Sequence, residues 1–219
     1  MESPNLTILI PTRNEAKKLP LTLIDIDRHL GQGDVSYEIL VVDSASTDAT
    51  REIVKRLSSF IKNIRLIEIE RDFGEGFAVR KGLLQALGKH RLVMRADGRI
   101  SITEVWKLLP EFKAGFGIAV AISGSMRTSG KKRVSGFWCF SEPAAEKIFN
   151  QTRINGRGYE IEVMRLARKM GIRVGEVEVE VEVEVESCGG HRRTLGDLLQ
   201  DFQNSIKIKF WLLSGAYKI

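Results

Sequence analysis

Four polar clusters follow directly on short apolar runs in the first hundred residues. Thr12-Arg13-Asn14-Glu15 follows Leu6–Ile10, Asp43-Ser44-Ala45-Ser46 follows Glu38–Val42, and Arg71-Asp72 follows Ile64–Ile69. The fourth, Asp97 between Arg95 and Arg99, follows Leu92-Val93-Met94. A carboxylate in such a place accepts hydrogen bonds from N–H and hydroxyl groups, and a guanidinium meets phosphate oxygens with paired N–H donors. Asp97-Gly98 taken alone also reads as a capped turn. Four such clusters on one edge are harder to explain as solvated turns than any one of them.

A common edge is what the intervening segments predict. Pro11 closes the first strand, and Pro20 opens a helix with Leu23, Ile26 and Leu30 on one face. Asp48 caps a second helix whose Ile53, Leu57 and Phe60-Ile61 turn inward. After Gly74 and Gly76 comes a third helix with Leu83, Leu84 and Leu87 on one side. Ser101 and Glu104 form a capping box for a fourth, carrying Val105, Leu108, Leu109 and Phe112. Strand–helix repeated four times means a mainly parallel sheet with helices on both faces, an α/β fold whose strands all end on one side.

The second half is less regular. Gly117–Ser123 and Gly136–Phe140 read as strands, and Glu142–Phe149 and Glu160–Met170 as helices, with Gly171 as a stop. The basic loop Arg127–Arg133 is either a lid over a phosphate or a solvated turn. Glu176–Glu186 alternates valine and glutamate, so one face is Val177, Val179, Val181, Val183 and Val185. An edge strand with a solvated acidic face fits it better than a metal ladder, because glutamates two apart repel and lack a converging geometry. From Leu195, the spacing of Leu198, Leu199, Phe202 and Ile206 predicts a helix, which runs into Lys207–Leu213. Such a basic, aromatic end suits a membrane interface, packing on the body or a partner subunit.

The 219 residues, 43% hydrophobic and 28% charged, suit one domain over 1–219. Its expected parts are a ligand-binding half (1–115), a second half (116–190) and a C-terminal amphipathic helix (191–219). No apolar run reaches the roughly 20 residues of a membrane span. Two cysteines and no secretory pattern predict a cytoplasmic protein, at most peripheral on the inner membrane face. A net charge of +6 favours anionic partners. The basic residues are not interleaved with aromatics, and acidic strand ends repel phosphate backbones, so nucleic acid is not expected.

The chain resembles the family 2 glycosyltransferases of the GT-A fold, and among them the polyprenyl- and dolichyl-phosphate sugar synthases. Thr7–Glu15 (T-I-L-I-P-T-R-N-E) resembles the opening P-x-x-N-E motif, and Tyr37–Thr50 the V-V-D-D-x-S-x-D-x-T motif. Gly74–Gly88 resembles the G-x-G-x-A-x-x-x-G-x-x-x-A-x-G motif. Ser135–Phe140 (S-G-F-W-C-F) and Tyr159–Val177 resemble the later acceptor-side motif and helix. The resemblance implies transfer of a hexose, with inversion, from a nucleotide-sugar to a polyprenyl phosphate at the membrane surface. It implies a donor site of Pro11, Arg13, Asn14, Glu15, Asp43, Ser46, Asp48, Arg80, Arg95, Ala96, Asp97 and Arg99, with Pro11, Glu15 and Asp43 around base and ribose. Asp97 matches the second acid of the family's D-x-D, which holds Mg²⁺ or Mn²⁺. Asp97 and Arg127 are the expected catalytic residues, and Arg127, Lys131, Lys132 and Arg133 the contacts for the acceptor phosphate.

Three departures from the pattern each lose an acid. Arg95 stands at the first D-x-D acid, Ser44 at the second V-D-D acid, and Lys131-Lys132-Arg133 where an acid precedes S-G-F. A metal at Asp97 is therefore expected to be weak or absent unless another acid, such as Asp43 or Glu160, completes it. Arg95 and Arg99 then offer the positive charge a leaving diphosphate needs. A hydroxyl acceptor requires a general base, whereas a phosphate arrives ionised, which favours the polyprenyl phosphate. A saccharide acceptor and a non-catalytic nucleotide-sugar-binding homologue remain the alternatives.

Overall fold

The computed structural model describes residues 3–123, 134–156, 158–181 and 195–217. Its centre is a seven-stranded sheet in the order β3-β2-β1-β4-β6-β5-β7. The strands are β1 (Leu6–Thr12), β2 (Tyr37–Ser44), β3 (Ile64–Ile69), β4 (His90–Val93), β5 (Ile118–Ser123), β6 (Val134–Ser141) and β7 (Val174–Val179). β3, β2, β1 and β4 are parallel neighbours, β6 is antiparallel to β4 and β5, and β7 returns parallel to β5. This is the mixed, mainly parallel sheet that the strand–helix repeat predicts.

The helices are α1 (Leu19–Leu30), α2 (Thr50–Leu57), α3 (Glu75–Gln85), α4 (Val105–Lys113), α5 (Glu142–Phe149), α6 (Tyr159–Lys169) and α7 (Leu195–Leu213). They cover two cores. One face of the sheet packs α1 and α4 through residues such as Leu23, Ile26 and Leu108, the other α3, α5 and α6 through Val79, Ile148 and Leu166. β2 is buried along its whole length, the mark of a parallel strand covered on both faces.

Several local expectations change. β1 runs through Pro11 to Thr12. The ladder to β4 ends at Leu9↔Val93, so a residue without an N–H sits where that side has lost its neighbour. Phe60 is 82% exposed, because α2 stops at Leu57 and only Ile61 returns to the core. α3 buries Gly76, Ala78, Val79, Gly82 and Leu83, while Leu84 and Leu87 face outward: small residues let this helix lie close on β1 and β2. Ser101 accepts the Thr103 N–H, but Glu104 does not close the capping box; its carboxylate takes Lys107 and the Glu180 N–H. β7 is the edge strand, with Val177, Val179 and Val181 against the first core and Glu176, Glu178 and Glu180 outward. It ends at Val179, and Val183 and Val185 lie outside the described residues.

α7 packs Ile208, Trp211 and Leu212 into the second core, while Ile206, Phe210 and Leu213 face outward. Beyond it, the Tyr217 hydroxyl donates to Glu162 on α6 at 2.6 Å. The same carboxylate accepts the backbone N–H groups of Arg153 and Ile154, each at 2.9 Å. A fully buried charge with three donors is well satisfied, and here it fastens three segments together. Among the described residues no helix is long and apolar enough to cross a membrane.

Candidate functional site

The loops after β1 and β2 hold each other. Asn14 and Ala45 both adopt positive φ (56° and 53°), which turns the two loops toward one another. The Asn14 N–H donates to Ser46 Oγ at 2.9 Å, and the Thr47 N–H to Asn14 Oδ1 at 2.8 Å. Asp48 accepts the Ala16 N–H at 3.2 Å and the Thr50 N–H at 3.0 Å, and the Thr50 hydroxyl takes the Glu15 N–H at 2.9 Å. Asn14, Ser46 and Asp48 thus spend their side chains fixing the loop that presents Arg13 and Glu15.

Between these loops, the start of α3 and the segment after β4 lies a cleft of about 490 Å³. Of the expected site residues, Pro11, Arg13, Glu15, Arg95 and Ala96 line it. Asp72, from the third strand-end cluster, also lines it, as do Glu75 and Gly156, which the sequence did not single out. Arg13 pairs with Asp72, whose other oxygen accepts the Gly74 N–H at 2.8 Å. Gly76 carries the close approach of α3 to the far wall. A Cβ there would come within 2.6 Å of the Ile154 carbonyl and 2.8 Å of Tyr159 Cβ.

Asp97 is nearly buried, and its Oδ2 faces two guanidinium groups, Arg95 Nε at 3.0 Å and Arg99 Nε at 3.5 Å. Its Oδ1 is buried with no hydrogen-bond partner. Asp43 sits deeper than a strand-end rim position: it is fully buried, held by Arg51 and by the Ser46 N–H at 3.1 Å, with Oδ2 unpartnered. Arg80 points to the loop behind the cleft, donating to the Thr152 carbonyl at 3.0 Å and to Asn155 Oδ1 at 2.8 Å. It steadies the segment that carries Gly156. Arg127, Lys131, Lys132 and Arg133 lie outside the described residues.

Arg95 is the cation that the surrounding acids share. Desolvation alone would lower its pKa, but Asp97, Glu75 and Glu15 outweigh it and hold the guanidinium charged. Burial, then the neighbouring Asp97, pushes the Glu15 carboxyl up, with Arg95 and Lys18 opposing. Glu160, the second residue of α6, is pushed up to about 7 by burial first and by Glu75 second, again against Arg95. Sequence offers Glu160 only as a spare acid for a metal at Asp97; the tertiary fold instead buries it beside another carboxylate.

A cleft of this kind, at the carboxyl ends of parallel strands, is where α/β proteins bind nucleotides. The model of glycosyl transferase family 2 matches residues 7–174, most of the chain and all the strands that build the cleft. The chain belongs to glycosyl transferase family 2. A dolichyl-phosphate beta-glucosyltransferase from Dictyostelium discoideum is 24% identical over 98% of this chain and 76% of its own length. The fold is also that of a mannosyltransferase from Pyrobaculum calidifontis solved with GDP-Man and Mn²⁺ (TM-score 0.67, 20% identity, 94% of this chain and 65% of that one). Mannosyl-3-phosphoglycerate synthase from Rubrobacter xylanophilus superposes over 99% of this chain and 76% of its own (TM-score 0.72, 15% identity). The chain is a family 2 glycosyltransferase with the GT-A fold.

Family 2 enzymes of this fold commonly use a divalent metal, and the residues here do not fit one held firmly. No three His, Cys, Asp or Glu side chains converge on a metal position among the described residues. Asp97 offers one free oxygen, while two guanidinium groups crowd the other and repel a divalent ion.

Proposed function

We propose that this family 2 enzyme transfers a hexose from a nucleotide-sugar to a polyprenyl phosphate of the dolichyl type, with inversion, at the cytoplasmic face of a membrane. The carrying observation is the cleft lined by Arg95, whose guanidinium, like that of Arg99, pairs with Asp97: positive charge where a D-x-D acid would sit. The acceptor is supported by the dolichyl-phosphate relative, whose match runs along 98% of the chain.

In this reading Pro11, Glu15 and Asp43 receive base and ribose, and Asp43 Oδ2, buried and unpartnered, is the acceptor for a base N–H. Arg95 and Arg99 meet the diphosphate. An oxygen of the acceptor phosphate attacks the anomeric carbon from the side opposite the diphosphate. The bond from that carbon to the diphosphate oxygen breaks, and the electron pair leaves with the nucleoside diphosphate. The guanidinium groups stabilise the charge that gathers there. The acceptor oxygen is already ionised, so no proton has to be removed. Arg127, Lys131, Lys132 and Arg133 are assigned to the acceptor phosphate.

Glu160 favours a second reading. A carboxyl with a pKa of about 7 beside the cleft is suited to act as the general base for a hydroxyl acceptor. Transfer assays with uridine and guanosine sugar-diphosphates, against polyprenyl phosphate and against a soluble sugar alcohol, separate the two. The proposed function requires product with polyprenyl phosphate, retained within about tenfold in Glu160→Gln. Product only with the hydroxyl acceptor, lost by roughly 10²–10⁴ in that variant, would establish the second reading instead.

A further inference from the structure

A second concavity, of about 630 Å³, lies against α6 and is walled by Trp138, Ile161, Met164, Ile172 and Val174. Its wall is almost wholly apolar, with Arg165 and Arg168 at the edge and Glu160 in the lining. Arg165 is tied to the Ser205 carbonyl of α7 at 2.7 Å, so it frames the edge. Nothing in the donor chemistry uses this space.

Two observations mark it as more than a packing gap. The Trp138 indole N–H is buried and has no hydrogen-bond partner, which is costly unless a ligand oxygen completes it. The concavity also lies close to the donor cleft. The Glu160 carboxyl is influenced by Glu75 and Arg95, both of which line that cleft. Gly136, at φ 73°, sits at the junction, where a Cβ would be 4.0 Å from both Arg95 Cδ and Glu160 Oε1.

A ligand suited to both parts has an oxygen-bearing head and a hydrocarbon chain. We propose that this trough is the acceptor's chain site: the first isoprene units lie along Ile161, Met164, Ile172 and Val174, the head turns past Gly136 toward Arg95, and Trp138 donates to an oxygen of the head. The proposal rests on the polyprenyl-phosphate reading above and adds where the chain goes and what selects it. Chain burial of this kind makes affinity depend on the number of isoprene units that enter, up to the length of the trough.

The test compares acceptors of two lengths in detergent, isopentenyl phosphate and a polyprenyl phosphate of several units. The unaltered enzyme should show a KM at least about tenfold lower for the longer acceptor. Met164→Glu places a charge in the trough and should bring the ratio of the two KM values close to one. Ile161→Asn is a second, milder variant should the first fold poorly, and calorimetric binding of a nucleoside diphosphate verifies folding in each. A ratio near one in the unaltered enzyme, or a ratio that both variants leave unchanged, would overturn the trough. Those results are distinct from failure of the underlying reading, in which neither polyprenyl phosphate is glycosylated while a hydroxyl acceptor is.

Discussion

Replacing Glu160 by glutamine should make the protein more stable, by an amount set by pH. In the folded chain the Glu160 carboxyl has a pKa raised from 4.5 to about 7, by burial and by Glu75. Below 4.5 the group is neutral in folded and unfolded chains alike and contributes nothing to the pH dependence. Between 4.5 and about 7 the unfolded chain ionises it freely while the folded chain resists, so stability falls as pH rises. Above about 7 both forms are charged and the loss is complete. One pKa unit corresponds to about 1.4 kcal/mol, which gives a total near 3 kcal/mol. Glu160→Gln removes the carboxyl and with it this loss. Urea unfolding of both proteins at several pH values measures the difference, and the raised pKa of Glu15 largely cancels because both proteins carry it. The gain should be near zero at about pH 4.5 and grow to about 3 kcal/mol at about pH 8. A difference that stays flat across this range would show that Glu160 is not held neutral by its surroundings.

Asp43→Ala should destabilise the fold by about 3–5 kcal/mol, because it strands the Arg51 guanidinium and the Ser46 N–H; the partial exposure of Arg51 places the result at the low end. Chemical denaturation reads this directly, and an unchanged midpoint would return Asp43 to the rim. Donor binding to the unaltered protein should change little with EDTA, whereas Arg95→Asp, which restores a second acid beside Asp97, should bind donor in a Mg²⁺- or Mn²⁺-dependent way by calorimetry. Gly76→Ala drives a methyl into the Ile154 carbonyl and Tyr159, and should cost about 1–3 kcal/mol in thermal or urea unfolding together with weaker nucleotide binding.

The strand–helix repeat was legible because each element carries its own signal: an apolar run for each buried strand and a 3.6-residue stripe for helices such as α1. The Val/Glu alternation likewise placed β7 at an edge with its acids outward. What escaped was set by pairing distant in sequence. β6 inserts antiparallel between β4 and β5, a choice that no local period encodes. Arg91 is buried inside β4, where hydrophobicity argues against it; the carbonyls of Leu83 and Gly88, with Glu142, take its donors. At the site, the strand ends were readable as a set, and Arg13, Glu15 and Arg95 do meet in one cleft. The division of labour was not readable. Asn14, Ser46 and Asp48 look like ligands in sequence and serve as loop struts, while Glu75 looks like an ordinary helix-start acid and lines the cleft, and Glu160, offered in sequence only as a spare acid for a metal, has its carboxyl pushed up by burial and by Glu75.

The three-way junction at Glu162 makes the trailing helix and the donor cleft thermodynamic partners. Its carboxylate orders Arg153 and Ile154, which lead to Gly156 in the cleft wall, and holds Tyr217 just after α7. Arg153 adds a second tie, donating to the Ala216 carbonyl at 2.5 Å while its guanidinium lies over Trp211 and Tyr217. An influence that steadies either side reduces the ordering entropy left for the other to lose. By reciprocity, whatever free energy a docked α7 lends to nucleotide-sugar binding, the bound nucleotide-sugar must return to the docking of α7.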